Sequence, residues 1–261
     1  MALRGLRAAA AAALMVMAAG CAGPSSAPVS STAAPSAEPG PIMPAPSGRP
    51  ATASAVSLLA DPARDWNVVV LGDSTGDDPD EFPFLVAQQL GSAHNRPVIV
   101  HRWADGRGYG DESTFPARTD AAAIHVWNGS VSGSVAAYAA NNLRAMTPVG
   151  ADLVLINYGH NYAGPEQARD GLSQLLEDID GHLGRPPVLV IIQNPKNPET
   201  VLSSAIIRQV SDTASAYFCE TVDVHRAFRD AGDPEPLLLD DTHPSPAGSK
   251  VWADAVVKAL S

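Results

Sequence analysis

The sequence predicts an α/β domain in which a mainly parallel sheet is covered by helices on both faces, a three-layer α/β/α sandwich. Three observations point there. From about residue 66 onward, short β-branched runs alternate with helix-length stretches, the order that βαβ units generate. The first run, "VVVLG", is apolar at consecutive positions, as a strand buried on both faces must be. Clusters of Gly, Asp, Ser and Asn follow directly after several runs, at the strand ends where open α/β sheets bind ligands.

Six strands are expected, at Trp66–Leu71, Pro97–Trp103, Ile124–Trp127, Asp152–Asn157, Val188–Gln193 and Thr221–Val224. Helical stretches lie between them: "FPFLVAQQL" after the first, "SVAAYAANNL" after the third, and "PEQARDGLSQLLEDIDGHL" and "PETVLSSAIIRQVSDTASAYF" on either side of the fifth. The last, "SPAGSKVWADAVVKAL", has Ser245 placed to cap it and Pro246 at its first helical position. Trp252, Ala255, Val256, Ala259 and Leu260 then form one apolar stripe for docking on the sheet. The stretch from Ala104 to Asp120, "ADGRGYGDESTFPARTD", breaks the alternation. It is Gly-rich, charged and non-periodic, and reads as an inserted loop or irregular hairpin. No clean helix follows its glycines, so it is no dinucleotide fingerprint.

The chain begins with Arg4 and Arg7, an apolar run from Ala8 to Ala19, then Gly20 and Cys21. That is the layout of an export signal over residues 1–20, with an apolar run too short for a transmembrane span. "AAGC" resembles the lipobox at which bacterial lipoprotein signals are cut and the new terminal cysteine is acylated, although Ala18 stands where Leu is usual. With Cys21 lipidated, Cys219 has no partner in its own chain and is expected as a small core residue, not in a disulfide. Residues 21–60 are Ala, Pro, Ser and Thr with few large apolar side chains, and so read as a disordered tether preceding a domain over 61–261. The formal charge is −11, and two units more negative without the signal's arginines. This argues against nucleic acid or anionic lipid as the main partner. A membrane enters only through the lipid anchor at Cys21, and a monomer is expected.

Four polar clusters occur in order: Ser74 after the first strand, "NGSVSG" (Asn128 to Gly133) after the third, "YGHN" (Tyr158 to Asn161) after the fourth, and "LDDTHPSPAG" before the last helix. Each alone is near chance, but their order and placement are not. They resemble the four blocks of the SGNH family, also called GDSL hydrolases: Gly72-Asp73-Ser74, Gly133, Gly159-His160-Asn161, and Asp240 with His243. Thr75 stands where the older motif name has Leu, and Tyr162 where many members have Asp. The resemblance covers the domain from about Trp66 to Leu260. It implies a flavodoxin-like sheet and a catalytic triad of Ser74 as nucleophile, His243 as base and Asp240 as orienting carboxylate. It also implies an oxyanion hole of the Ser74 and Gly133 N–H groups with the Asn161 amide.

The residue chemistry agrees. A serine hydroxyl needs a base near neutral pKa, and an imidazole needs its tautomer fixed by a second group. An Asp three residues before the His in a tight loop can do so, which favours Asp240 over its neighbour Asp241. Rival assignments are Gly110 for the oxyanion glycine and His225, with Asp223 two residues before it, for the base. His160 could line the pocket. Trp103, Tyr109 and Trp127 could stack on a sugar or simply be core. The acidic run "DDPDE" (Asp77 to Glu81) lacks ligand spacing, so neither a metal nor a cofactor is expected.

The resemblance implies a serine esterase acting through an acyl-enzyme on a small-molecule or polysaccharide ester, and the amino-terminal signal layout makes it an exported one. The absence of a long apolar lid segment leans toward short acyl groups, such as acetyl on a carbohydrate. An acyltransferase using the same intermediate and a non-catalytic glycan-binding module are the alternatives.

Overall fold

The computed structural model describes residues 48–117 and 119–261. The expected signal segment, Cys21 and most of the expected tether lie outside the described residues. The first strand, β1 (Trp66–Gly72), is followed by α2 (Phe82–His94), β2 (Val98–Ala104), β3 (Gly108–Phe115), β4 (Ile124–Asn128), α3 (Ala136–Met146), β5 (Leu153–Asn157), α4 (Pro165–Leu183), β6 (Val188–Ile192), α5 (Val201–Ala216), β7 (Glu220–Asp223), α6 (Val224–Asp230) and α7 (Pro246–Ala259); a short α1 (Thr52–Ser57) precedes them all.

The seven strands form one sheet in the order β3-β2-β4-β1-β5-β6-β7. All neighbours run parallel except β2 and β3. Numbered among themselves, β4-β1-β5-β6-β7 follow the flavodoxin-like order 2-1-3-4-5, and the β2–β3 hairpin extends that sheet beyond β4. The consecutive apolar residues of β1 serve two cores. Val68 and Val70 pack with Phe82, Trp252 and Val256 on the face covered by α2 and α7. Val69 and Leu71 pack with Leu143, Leu172 and Ile179 on the face covered by α3, α4 and α5. Each fully buried aliphatic side chain contributes roughly 1.5–3 kcal/mol of transfer free energy. Phe82 stacks on Trp252 at 5.1 Å between ring centres, fixing α7 against α2.

Two sequence expectations change. The stretch read as a loop or irregular hairpin is a hairpin whose second arm, β3, is a regular eight-residue strand with one register shift at Arg102/Trp103. β3 is an edge strand with half of its residues exposed and none buried, so it lacks the apolar run that marks the inner strands. The ordered domain also begins before residue 61. Ala55 and Leu59 are buried in the core, and Trp66 Nε1 donates to the Ala55 carbonyl at 3.0 Å. Arg49 pairs with Asp180 at 2.7 Å and donates to the Pro186 carbonyl. The buried Arg96 guanidinium donates to the carbonyls of Leu59 and Asp61. These bonds satisfy backbone that composition alone would leave to water.

Candidate active site

The carboxyl ends of β1, β4, β5 and β6 converge on Ser74. Ser74 follows β1 directly, and its Oγ lies 2.9 Å from Nε2 of His243. His243 Nδ1 lies 2.8 Å from Asp240 Oδ2. The other oxygen of Asp240 accepts the backbone N–H groups of Thr242 and His243, each at 2.8 Å. Burial works to raise the Asp240 pKa, but these hydrogen bonds more than offset it and hold the carboxyl below its ordinary value. An ionised Asp240 selects the tautomer with hydrogen on Nδ1, which leaves Nε2 to accept the Ser74 hydroxyl proton. Asp241 instead gives its carbonyl to the N–H of Asn197 at 2.9 Å.

The loop that carries this pair is pinned at both ends. Leu239 N–H donates to the His243 carbonyl at 2.8 Å and Ser245 N–H to that of Leu237. Ser245 caps α7 through the N–H of Gly248. Only glycine fits at position 248, because a Cβ there would stand 2.1 Å from the Leu237 carbonyl oxygen.

Across from His243, two further loops approach the serine. Val131 N–H and Ser134 Oγ both donate to the Gly72 carbonyl, at 3.0 and 3.1 Å, which draws the loop after β4 onto the end of β1. Gly133, within that loop, has φ of +74°, a conformation that side chains disfavour. Asn161, after β5, donates one Nδ2 hydrogen to the Ser134 carbonyl at 3.0 Å, which leaves its second hydrogen free. Among the described residues, the backbone N–H groups of Ser74 and Gly133 have no protein acceptor. The rival Gly110 sits in β3, separated from β1 by β2 and β4.

Beneath these loops lies a buried polar layer that sequence reasoning missed. Gln193, at the end of β6, donates to Asp73 Oδ2 and Asn157 Oδ1, each at 3.0 Å, and accepts the N–H of His160 at 2.7 Å. Thr75 gives both its N–H and its hydroxyl to Asp73 Oδ1 and accepts from Asn157. Asn194, next in the chain, sits 2.9 Å from the His160 ring through Oδ1 and donates to the Thr242 carbonyl at 2.9 Å. Burial lowers the pKa of His160, so it stands as a neutral donor to Asn194. One layer therefore joins the β1, β5 and β6 ends to the His243 loop. The only sequence signal was an amide pair, "QN", closing an otherwise apolar strand.

His225 takes no part: its Nε2 pairs with Glu199 at 3.2 Å, and Asp223 caps α6. Trp103, Tyr109 and Trp127 pack on one another and on neighbours beneath the hairpin. Tyr109 lies edge-on to both tryptophans, and Trp127 is stacked on His101 at 3.8 Å. Among the described residues no group of three or more His, Cys, Asp or Glu side chains could hold a metal.

The model of the GDSL-like lipase/acylhydrolase family matches residues 70–251. The chain belongs to this family. The GDSL-like match spans all four clusters, and the protein is accordingly a serine ester hydrolase. No curated protein sequence matches it. Solved structures share its fold at low identity. A lipase/acylhydrolase from Enterococcus faecalis is 15% identical with a TM-score of 0.55, the match covering 75% of this chain and 95% of that one. An acetyl xylan esterase from Geobacillus stearothermophilus is 16% identical with a TM-score of 0.56, covering 75% and 94%. A two-domain esterase active on acetylated mannans is 16% identical with a TM-score of 0.60, covering 82% of this chain and 53% of that one.

Proposed function

We propose that this GDSL-like hydrolase is an exported serine esterase that cleaves short-chain carboxylic esters, acetyl groups on carbohydrate among them, through an acyl-enzyme. The observation that carries the reading is the unbroken relay from Ser74 Oγ to His243 to Asp240, at 2.9 and 2.8 Å. His243 takes the Ser74 proton as Oγ attacks the ester carbonyl. The oxyanion meets the N–H groups of Ser74 and Gly133 and the free hydrogen of Asn161. His243 then protonates the leaving alcohol, and a water activated by the same imidazole releases the acid and restores the hydroxyl. The carbohydrate part of the reading is supported by two neighbours that share the fold, named for acetyl xylan and acetylated mannans. Export, and acylation at Cys21, are supported by the arginine, apolar and small-residue order of residues 1–21.

A phosphonofluoridate tests the mechanism directly. Attack by a serine oxyanion expels fluoride and leaves a phosphonyl ester, so intact mass followed by peptide mapping should show one adduct, on Ser74. The His243→Ala variant should acquire it far more slowly. Labelling elsewhere, or equal labelling of Ser74→Ala, would reject the nucleophile assignment.

A further inference from the structure

Beside the triad, the β5–α4 loop, the β6–α5 loop and the first turns of α5 enclose a pocket of about 220 Å³. Tyr162, Leu202, Ile206 and Ile207 give it an apolar wall, and His160 and Lys196 stand at its polar side. Its volume leaves room for a small acyl or alcohol group and lies well below that of a drug-sized ligand site. None of the triad residues lines it, but it is linked to their loops: His160 precedes Asn161, and its ring is held by Asn194, which also holds the Thr242 carbonyl next to His243.

Lys196 is the unusual lining residue. The chain is acidic, at −11, yet this ammonium meets no carboxylate among the described residues. Its Nζ donates to the His160 carbonyl at 3.0 Å, which uses one of its three donors. The acid nearest in sequence, Glu199, is engaged by His225 and Arg229. The apolar rim is open as well, with Leu202 51% exposed. A cation held at the end of an apolar pocket, with two donors spare, complements a negatively charged group carried on a short apolar spacer.

We propose that this pocket selects esters whose acyl or alcohol part bears a carboxylate or phosphate, with Lys196 as the residue that recognises the charge. The proposal rests on the esterase reading and narrows its substrate class. Two matched pairs of esters test it on the full chain. p-Nitrophenyl butyrate against mono-p-nitrophenyl succinate places the charge on the acyl side, and phenyl acetate against 4-acetoxybenzoate places it on the alcohol side. The expected result is a higher kcat/KM for the anionic member of one pair, which identifies the side that enters the pocket. That preference should fall about tenfold in Lys196→Met, survive in part in Lys196→Arg and reverse in Lys196→Glu. No preference in either pair, or one that persists undiminished in Lys196→Met, would overturn the proposal. Failure to hydrolyse any of the four esters would instead sink the esterase reading, and the pocket would then be judged by binding. Calorimetric titration of Ser74→Ala with monomethyl succinate and with 4-acetoxybenzoate should release, for at least one of them, heat that the Ser74→Ala, Lys196→Met chain does not; no heat with either in Ser74→Ala would overturn the proposal.

Discussion

Gln193 Nε2 lies 3.0 Å from Asp73 Oδ2 although 120 residues separate them in the chain, and both side chains are buried. The contact sits directly under Ser74, so the residue that ends β6 helps to set the residue that presents the nucleophile. Replacing Gln193 with Leu removes a donor from a buried carboxylate and leaves the Asn157 side chain and the His160 N–H short of partners. A loss of ~2 kcal/mol is expected, or a fall in Tm of roughly 4–8 °C for a domain of this size. Thermal unfolding by circular dichroism checks it. An unchanged Tm would mean the layer is not cohesive.

Asn161 is expected to act on the transition state and not on substrate binding. One of its Nδ2 hydrogens is committed to Ser134, and on the proposed mechanism the other is the donor that meets the developing oxyanion. Asn161→Ala should lower kcat by about 10²–10³ with little change in KM, by the scale of measured oxyanion donors. A mutant that loses affinity at constant kcat would place Asn161 in ground-state binding.

The two candidate bases separate cleanly. His243→Ala should collapse turnover, because Ser74 loses its only imidazole neighbour among the described residues. His225→Ala should leave turnover intact, since the His225 ring is bound to Glu199 and not to Ser74. The reverse pattern in steady-state assays would reassign the base.

Glu81 should give the protein a distinctive pH dependence. Burial pushes its carboxyl up to about 8 from 4.5, reinforced by Asp77, Asp78 and Asp80 and opposed by a hydrogen bond from the Asp78 N–H. Between those values the folded state keeps a proton that the unfolded chain has released. Its contribution to stability is therefore greatest at and below pH 4.5 and is lost as pH rises toward 8. Glu81→Gln should flatten the decline in Tm across that range while keeping an acceptor for the Asp78 N–H. Parallel Tm profiles for the two proteins would contradict the assignment.

Much of this was legible in the sequence for a physical reason. Strands buried on both faces must be apolar at every position, so β1, β5 and β6 announce themselves, and the acid–base chemistry of ester cleavage needs residue types that stand out at strand ends. Ser74, Gly133, Asn161, Asp240 and His243 were singled out that way, and the structure sets Ser74, His243 and Asp240 in series at hydrogen-bonding distance. Edge strand β3 was missed because a strand with one face and one edge in water carries "GYGDESTF" without an apolar repeat. Helix α1 was missed because its Ala and Ser residues match the tether's composition, and what holds the segment is remote, namely Trp66 and Arg96. Gln193 and Asn194 were missed because a buried amide and a loop amide look alike until the third dimension supplies their partners.

Everything in the proposed chemistry depends on Ser74 as the nucleophile. The most direct measurement is the rate of p-nitrophenyl acetate hydrolysis by the full chain beside its Ser74→Ala variant, with both shown to unfold at the same temperature. Turnover in the parent that falls to the uncatalysed background in the variant is the expected result. Equal rates in the two proteins, measurable or absent, would contradict it.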